Sequence, residues 1–212
     1  MKTKVGLREI EEALRNPRAF VRGQRTGGYP RYSRFMALRS TALDFHKDND
    51  LSTAQRVLEE RFRRSFKVIK GNDEYFDMLK KYVKSFLALG TTFVRARINV
   101  SIQLPEEYGD EFQVSGQITR LDIHPDGGYR AWLFSRTPEE WQAELKYPLI
   151  QEACAKQLNV GPQEIVPGVY EFSGGTYTQC QYTKHQIRAA NGRLLRLLDE
   201  IKRVRPSPKA KS

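Results

Sequence analysis

Three guanidiniums and three aromatic rings interleave along one glycine-bearing stretch of this chain, Arg25, Tyr29, Arg31, Tyr32, Arg34 and Phe35. Guanidiniums bind phosphate oxygens, and aromatic faces stack on bases with little regard to sequence. Together they suit a nucleic-acid surface. Arg15, Arg18 and Arg22 upstream, and Arg39 downstream, extend the basic run. The alternative is a loop whose aromatics fold back onto the core.

Charge along the chain agrees with a polyanionic partner. Residues 1–39 hold ten Lys or Arg against three Glu, a net of +7, and residues 202–212 hold five bases and no acid, a net of +5. The whole chain carries +11, so residues 40–201 sum to −1. A solubilising surface with a disordered tail is the competing account. The composition, 39% hydrophobic and 29% charged, is that of a soluble globular protein. No run of 18 apolar residues exists and the N-terminus lacks an apolar signal-type stretch, so no membrane partner and a cytoplasmic location are expected. Cys154 and Cys180 have no metal-type spacing and read as reduced, part-buried thiols.

The elements that must position these residues follow from periodicity. Leu7, Ile10, Leu14 and Phe20 predict a helix that bends or stops at Asn16-Pro17. Val57, Leu58, Phe62 and Phe66 predict a second, capped by Ser52 or Thr53. Phe76, Leu79, Val83 and Phe86 predict a third, stopped at Gly90. The period then changes to two. Val94, Ala96, Ile98, Val100 and Ile102 form the apolar face of a strand, and residues 114–136 form a hairpin about Pro125-Asp126-Gly127-Gly128. A helix is expected from Thr137-Pro138, bent or restarted at Pro148. A second hairpin turns at Gly174-Gly175, and a last helix runs from about Lys184. The order predicts an α/β domain over 1–203, mostly helical in 1–90 and sheet-centred in 91–203, with a basic disordered tail over 204–212.

Four ordered stretches carry a family resemblance. "LREIEEALRNPRAFV", "GQITRLDIHPDGGYRAWLFSR", "YPLIQEACAKQL" and "GVYEFSGGTYTQCQYT" resemble the opening helix, the metal-bearing hairpin, the Gln-bearing helix and the closing hairpin of the RecB-type branch of the PD-(D/E)XK nuclease superfamily. That branch acts in recombination and in genome defence. The resemblance implies a restriction-endonuclease-like core, a mixed sheet flanked by helices behind a helical N-terminal region. It also places Gln151 near a DNA strand.

By residue, the same resemblance argues against nuclease activity. Such chemistry needs acidic ligands converging on Mg²⁺ and a lysine that activates water. The aligned positions read Thr119 for the first acid, Leu133 for the second, Ser135 for the lysine and Gln55 for an upstream histidine. His46 is a displaced candidate for that histidine, and Asp122 matches the strand's second, structural Asp. Two cysteines cannot hold the four-cysteine cluster of some relatives. The reading is therefore a catalytically degenerate nuclease fold with no metal or cofactor of its own. It binds nucleic acid, DNA being the expected form, and positions or scaffolds it together with other protein subunits. One alternative is an active Mg²⁺-dependent exonuclease with relocated residues Asp122, Asp126, Glu144 and Lys146. Another is a pure protein-interaction subunit.

Overall fold

The computed structural model describes residues 2–23, 32–66, 71–137 and 140–205. The chain opens with β1 (Thr3–Gly6), α1 (Ile10–Arg15) and α2 (Pro17–Gly23), followed by α3 (Arg34–Asp48), α4 (Leu51–Ser65) and α5 (Asp73–Ala88). Then come β2 (Thr92–Ser101), the short α6 (Glu106–Gly109), β3 (Phe112–Ile123) and β4 (Tyr129–Ser135). It closes with α7 (Lys146–Leu158), β5 (Ile165–Glu171), β6 (Thr176–Gln179) and α8 (Lys184–Val204). The class is the expected one, a central mixed sheet flanked by helices.

β3 is the hub of the sheet. It pairs antiparallel with β2 over residues 115–123 and with β4 over 120–123, giving the expected meander, and parallel with β1 over 112–115. β5 lies parallel to β4, and β6 antiparallel to β5. Successive strand residues point to opposite faces, so the sheet feeds two cores. Ala131, Leu133 and Val169 join Ile10, Phe20, Leu149 and Leu194 under α1, α2, α7 and α8. Trp132 and Tyr170 join Leu38, Leu58, Tyr82 and Phe86 under α3, α4 and α5.

Local chemistry sets the helix ends. Asn16 breaks α1 from α2, its side chain accepting from the Ala19 N–H at 2.9 Å. α3 begins on Ser33, whose hydroxyl accepts from the Met36 N–H, and ends on Asn49 in the left-handed region. Asp50 caps α4 by accepting from the Ser52 and Thr53 N–H groups. Ser52 and Thr53 therefore lie inside the helix and donate to the cap. Thr183 and Gln186 form a reciprocal capping box at α8.

Several expectations are corrected. The residues before α1 contain a four-residue strand, too short for periodicity to separate from the helix behind it. α3 lay unassigned in the sequence although Leu38, Ala42 and Phe45 mark its buried stripe. The helix expected from Thr137-Pro138 is absent over residues 140–145 and begins at Lys146, while Pro138 and Glu139 lie outside the described residues. Over residues 140–145 tertiary bonds stand where helical ones were expected: the Trp141 indole donates to Thr178 at 2.7 Å, and the Leu145 N–H donates to the Glu11 carboxylate at 2.6 Å. Pro148 sits in the first turn of α7, where no backbone N–H is needed. In β2 the register shifts between Phe93 and Arg95, so Ile98, Val100 and Ile102 are buried while Val94 is exposed. The segment expected to be a disordered tail is ordered at its first two residues, where Val204 is helical and the Arg205 guanidinium lies 4.6 Å from the Phe112 ring centre. The rest of that segment, 206–212, lies outside the described residues.

Close packing between β4 and β5 depends on a missing side chain. A Cβ built on Gly168 would lie 2.5 Å from a ring carbon of buried Trp132. Gly168→Ala is expected to lower stability by about 1–3 kcal/mol. Gly192→Ala, inside α8 with no atom within 4 Å of the new Cβ, should raise it by roughly 0.5–1 kcal/mol through helix propensity. Urea unfolding midpoints compare the two, and a Gly168→Ala variant as stable as the parent would refute this packing.

Candidate nucleic-acid interface

Thr119 and Leu133 lie on opposite faces of the sheet. The Thr119 hydroxyl accepts from Arg39 Nη2 of α3 at 3.2 Å, whereas Leu133 packs in the core under α7 and α8. Ile118 and Leu121 both enter that same core although three positions apart. The alternation therefore slips by one between them. The slip lies across from Arg97, which holds a left-handed φ of 54° between the paired residues Ala96 and Ile98. The aligned pair Thr119 and Leu133 thus cannot face one ion. Ser135 ends β4 and donates to the Thr137 carbonyl. Gln55 is half-buried on α4.

The slip turns Arg120 and Asp122 together into the other core, where both are fully buried. Arg120 Nε donates to Asp122 at 2.6 Å, and the carboxylate also accepts from the Trp132 indole at 3.0 Å and the Thr91 hydroxyl at 3.1 Å. Arg120 Nη1 donates to the Tyr82 hydroxyl at 2.9 Å and meets His46 Nε2. That ring nitrogen also lies 2.8 Å from the Tyr82 hydroxyl. The guanidinium stacks 4.0 Å from the Phe86 ring centre, and the His46 ring stacks on Phe93. Burial, reinforced by the Arg120 charge, lowers the His46 pKa to about 3, so the ring is neutral. Burial pushes the Asp122 carboxyl above its ordinary range, with the Arg120 charge and the hydrogen bonds from Arg120, Thr91 and Trp132 pulling the other way.

These residues do not fit a Mg²⁺ ion, which requires several oxygen ligands. One carboxylate is present, and a guanidinium already neutralises it. The relocated set does not gather either. Asp126 is in the exposed hairpin turn, paired with His124, and Glu144 bonds Lys146 at 2.5 Å at the start of α7. Among the described residues no group of three or more His, Cys, Asp or Glu could hold a metal.

The basic candidates divide. Arg25, Tyr29 and Arg31 lie outside the described residues. Arg15, Arg18 and Arg22 are exposed on α1 and α2, the latter two one turn apart. Tyr32 stacks on Phe66, and Arg34 lies over the same ring, while the Phe35 ring packs edge-on against Phe172. The stretch is thus partly folded back. Gln151 corrects its expected place beside a strand. It is fully buried, donating to the Pro162 and Tyr182 carbonyls and accepting from the Tyr182 N–H, and so latches α7 to the segment before α8.

Arg39 opens onto a feature that the linear pattern did not reveal. A cleft of about 850 Å³ lies between α3, the β1–α1 joint and the β2–β3 surface. Arg8, Arg39 and Arg97 line it. Burial, then the charges of Arg8 and Arg97, lower the Arg39 pKa to about 10, still well charged at neutral pH. Arg97 donates to Ser40 at 2.9 Å. Glu9 is the acid among the lining residues, and it accepts from the Gly6 N–H at 3.0 Å. Sequence alone could not find this site, because Arg8, Arg39 and Arg97 meet only through the parallel pairing of β1 with β3.

No protein-family model matches this sequence, and no curated protein matches it. Among solved structures, the chain is similar to a provisionally assigned exonuclease from Eubacterium rectale, at 9% identity and a TM-score of 0.48, covering 84% of this chain and 69% of that one. It is also similar to the protein SSO0001, at 6% identity and a TM-score of 0.31, covering 95% and 88% of the two chains. No described helix is long and apolar enough to cross a membrane.

The buried pair is expected to be indispensable as a pair. Arg120→Met leaves the Asp122 carboxylate desolvated and should cost about 3–5 kcal/mol, as should Asp122→Leu for the stranded guanidinium, while the double variant recovers much of the loss. A denaturant double-mutant cycle measures this, and additive losses would refute the coupling. For His46, the unfolded chain accepts a proton near pH 6.5 that the fold refuses down to about 3. This group's contribution is intact above about pH 6.5 and falls as pH drops below it. His46→Gln should therefore give a shallower loss of urea stability between pH 7 and pH 5. Identical slopes in variant and parent would contradict a buried neutral imidazole.

Proposed function

We propose that this chain is a nucleic-acid-binding module on a nuclease-like, PD-(D/E)XK-type scaffold of the RecB kind. In this reading it is catalytically silent and positions DNA within a larger protein assembly, in the cytoplasm. The observation that carries the reading is the cleft in which Arg8, Arg39 and Arg97 converge against a single carboxylate. Three guanidiniums gathered without matching acids favour a partner rich in phosphate oxygens. The exposed Arg15, Arg18 and Arg22 add charge of the same sign. Silence is supported by Arg120, which neutralises Asp122 from within, so that no Mg²⁺ or other cofactor is required.

The test is fluorescence anisotropy on labelled single- and double-stranded oligonucleotides, DNA and RNA, across salt concentrations, followed by incubation with Mg²⁺ and Mn²⁺. Each phosphate neutralised on duplex DNA contributes about −0.9 to the slope of log K against log salt, so a slope on the order of −3 to −6 is expected, with the oligonucleotides intact. No binding at low salt would favour a protein-interaction subunit. Metal-dependent degradation abolished by Glu144→Ala at an unchanged Tm would establish the exonuclease alternative instead.

A further inference from the structure

The cleft has a shape and lining more specific than a basic surface. Its volume, about 850 Å³, lies in the range of small-molecule sites, about 300–1,000 Å³. A duplex is too thick to enter such a space, whereas one or two nucleotides fit. One wall is fixed by close approach: a Cβ on Gly116 would lie 2.7 Å from the Leu7 Cβ, so the β1–α1 joint closes directly on β3. Leu7, Met36 and Leu43 give an apolar side, and Asn99, Gln113 and Gln117 present amides from the strands. An apolar wall, convergent amides and clustered guanidiniums match the base, base edge and phosphate of a nucleotide.

Backbone conformation supplies a second observation. Arg97 sits mid-strand with a left-handed φ of 54°, a region that L side chains rarely adopt and that is often retained for function. Its Nη2 reaches Ser40 on α3, at the cleft. Arg39 is held from behind by its bond to Thr119. Arg8 has no hydrogen-bond or ion-pair partner among the described residues.

We infer that Arg8, Arg39 and Arg97 form a pocket for the phosphate end of a single nucleotide unit, presented either by the terminus of a single strand or by a free nucleotide. This deepens the nucleic-acid reading above and rests on it: the exposed arginines of α1 and α2 hold strand phosphates without regard to ends, and the cleft recognises the end itself.

The experiment compares 3′-labelled single-stranded trinucleotides bearing a 5′-phosphate or a 5′-hydroxyl, at fixed salt, by anisotropy. A 30-nucleotide strand with both ends blocked serves as the end-independent probe. The phosphorylated trinucleotide should bind at least tenfold tighter than its hydroxyl twin. Arg8→Ala and Arg97→Ala should each erase most of that preference, bringing the phosphorylated trinucleotide's affinity close to that of its hydroxyl twin. Arg97→Gly should likewise lose the preference but keep or raise Tm, because glycine tolerates the left-handed backbone. A lowered Tm in that variant would mark Arg97 as structural and overturn its role. Displacement of the trinucleotide by a free nucleoside monophosphate at similar concentration would identify the free nucleotide as ligand, and displacement only by phosphorylated strands would identify the strand end. Equal affinity for the phosphate and hydroxyl twins overturns this inference, yet leaves the binding-module reading standing if the blocked strand binds. Failure of the blocked strand as well removes both.

Discussion

The constraint on which much of the structure depends is a desolvated ion pair. Arg120 and Asp122 sit in the sheet with no access to water. Removing both charges from solvent costs several kcal/mol per ion, and their mutual attraction offsets this only when the remaining donors and acceptors are satisfied. The second core supplies those partners. Thr91 precedes β2, Trp132 comes from β4, Tyr82 from α5 and His46 from α3, and each gives one polar atom to the pair. Aromatic rings close the remainder, with Phe86 and Phe93 flanking the guanidinium. The docking of α3 and α5 on the sheet is therefore specified by hydrogen bonds as well as by apolar area. A small displacement of either helix would strand a charge.

The same pair exists because a strand breaks its own alternation. Regular period two from Ile118 would send Arg120 into the apolar core under α7 and α8. The slip between Ile118 and Leu121, matched by left-handed Arg97 on β2, sends it to the other face instead. One irregularity thus has two consequences. On one side of it a buried charge pair is formed. On the other, Arg97 is directed at α3 and Arg39 is braced by Thr119, which shapes the cleft. Core and cleft share a cause, and a substitution that restored regular alternation would disturb both.

Much of the architecture was legible because apolar spacing reports burial directly. α4, α5, α8, the meander and both hairpins follow from stripes such as Val57–Leu58–Phe62 and from glycine-bearing turns. What was missed depends on contacts distant in sequence. Four-residue β1 is a strand because β3 pairs with it. The start of α7 is set by Glu11, and the segment before it by Thr178. A helix start is a local signal, and at Trp141 and Leu145 these tertiary bonds override it. The candidate site was less legible still. Alternation counted from Gly116 assumes an unbroken strand, so it could not reveal that Thr119 and Leu133 face apart. Gln151, polar on an otherwise apolar helix face, equally suits a surface contact and a buried latch, and only its three backbone partners decide. Arg8 and Arg97 carried no local signal at all.

An internal guanidinium and a diffusible metal ion solve the same electrostatic problem differently. Either can neutralise a carboxylate in a low-dielectric site, but only a metal has open coordination positions through which to polarise a phosphate and its attacking water. Arg120 presents its donors in a fixed fork, and here Asp122, Tyr82 and His46 take them. A cation held this way stabilises the fold without remaining available to a ligand. Positive charge that can engage a ligand must therefore be placed elsewhere. In this chain it stands at the mouth of the cleft, on Arg8 and Arg97, which are exposed, and on Arg39 between them. Separating a structural cation from ligand-facing cations lets the cleft's side chains change with limited cost to folding. The buried cation has no such freedom, since five elements of the fold are built around it.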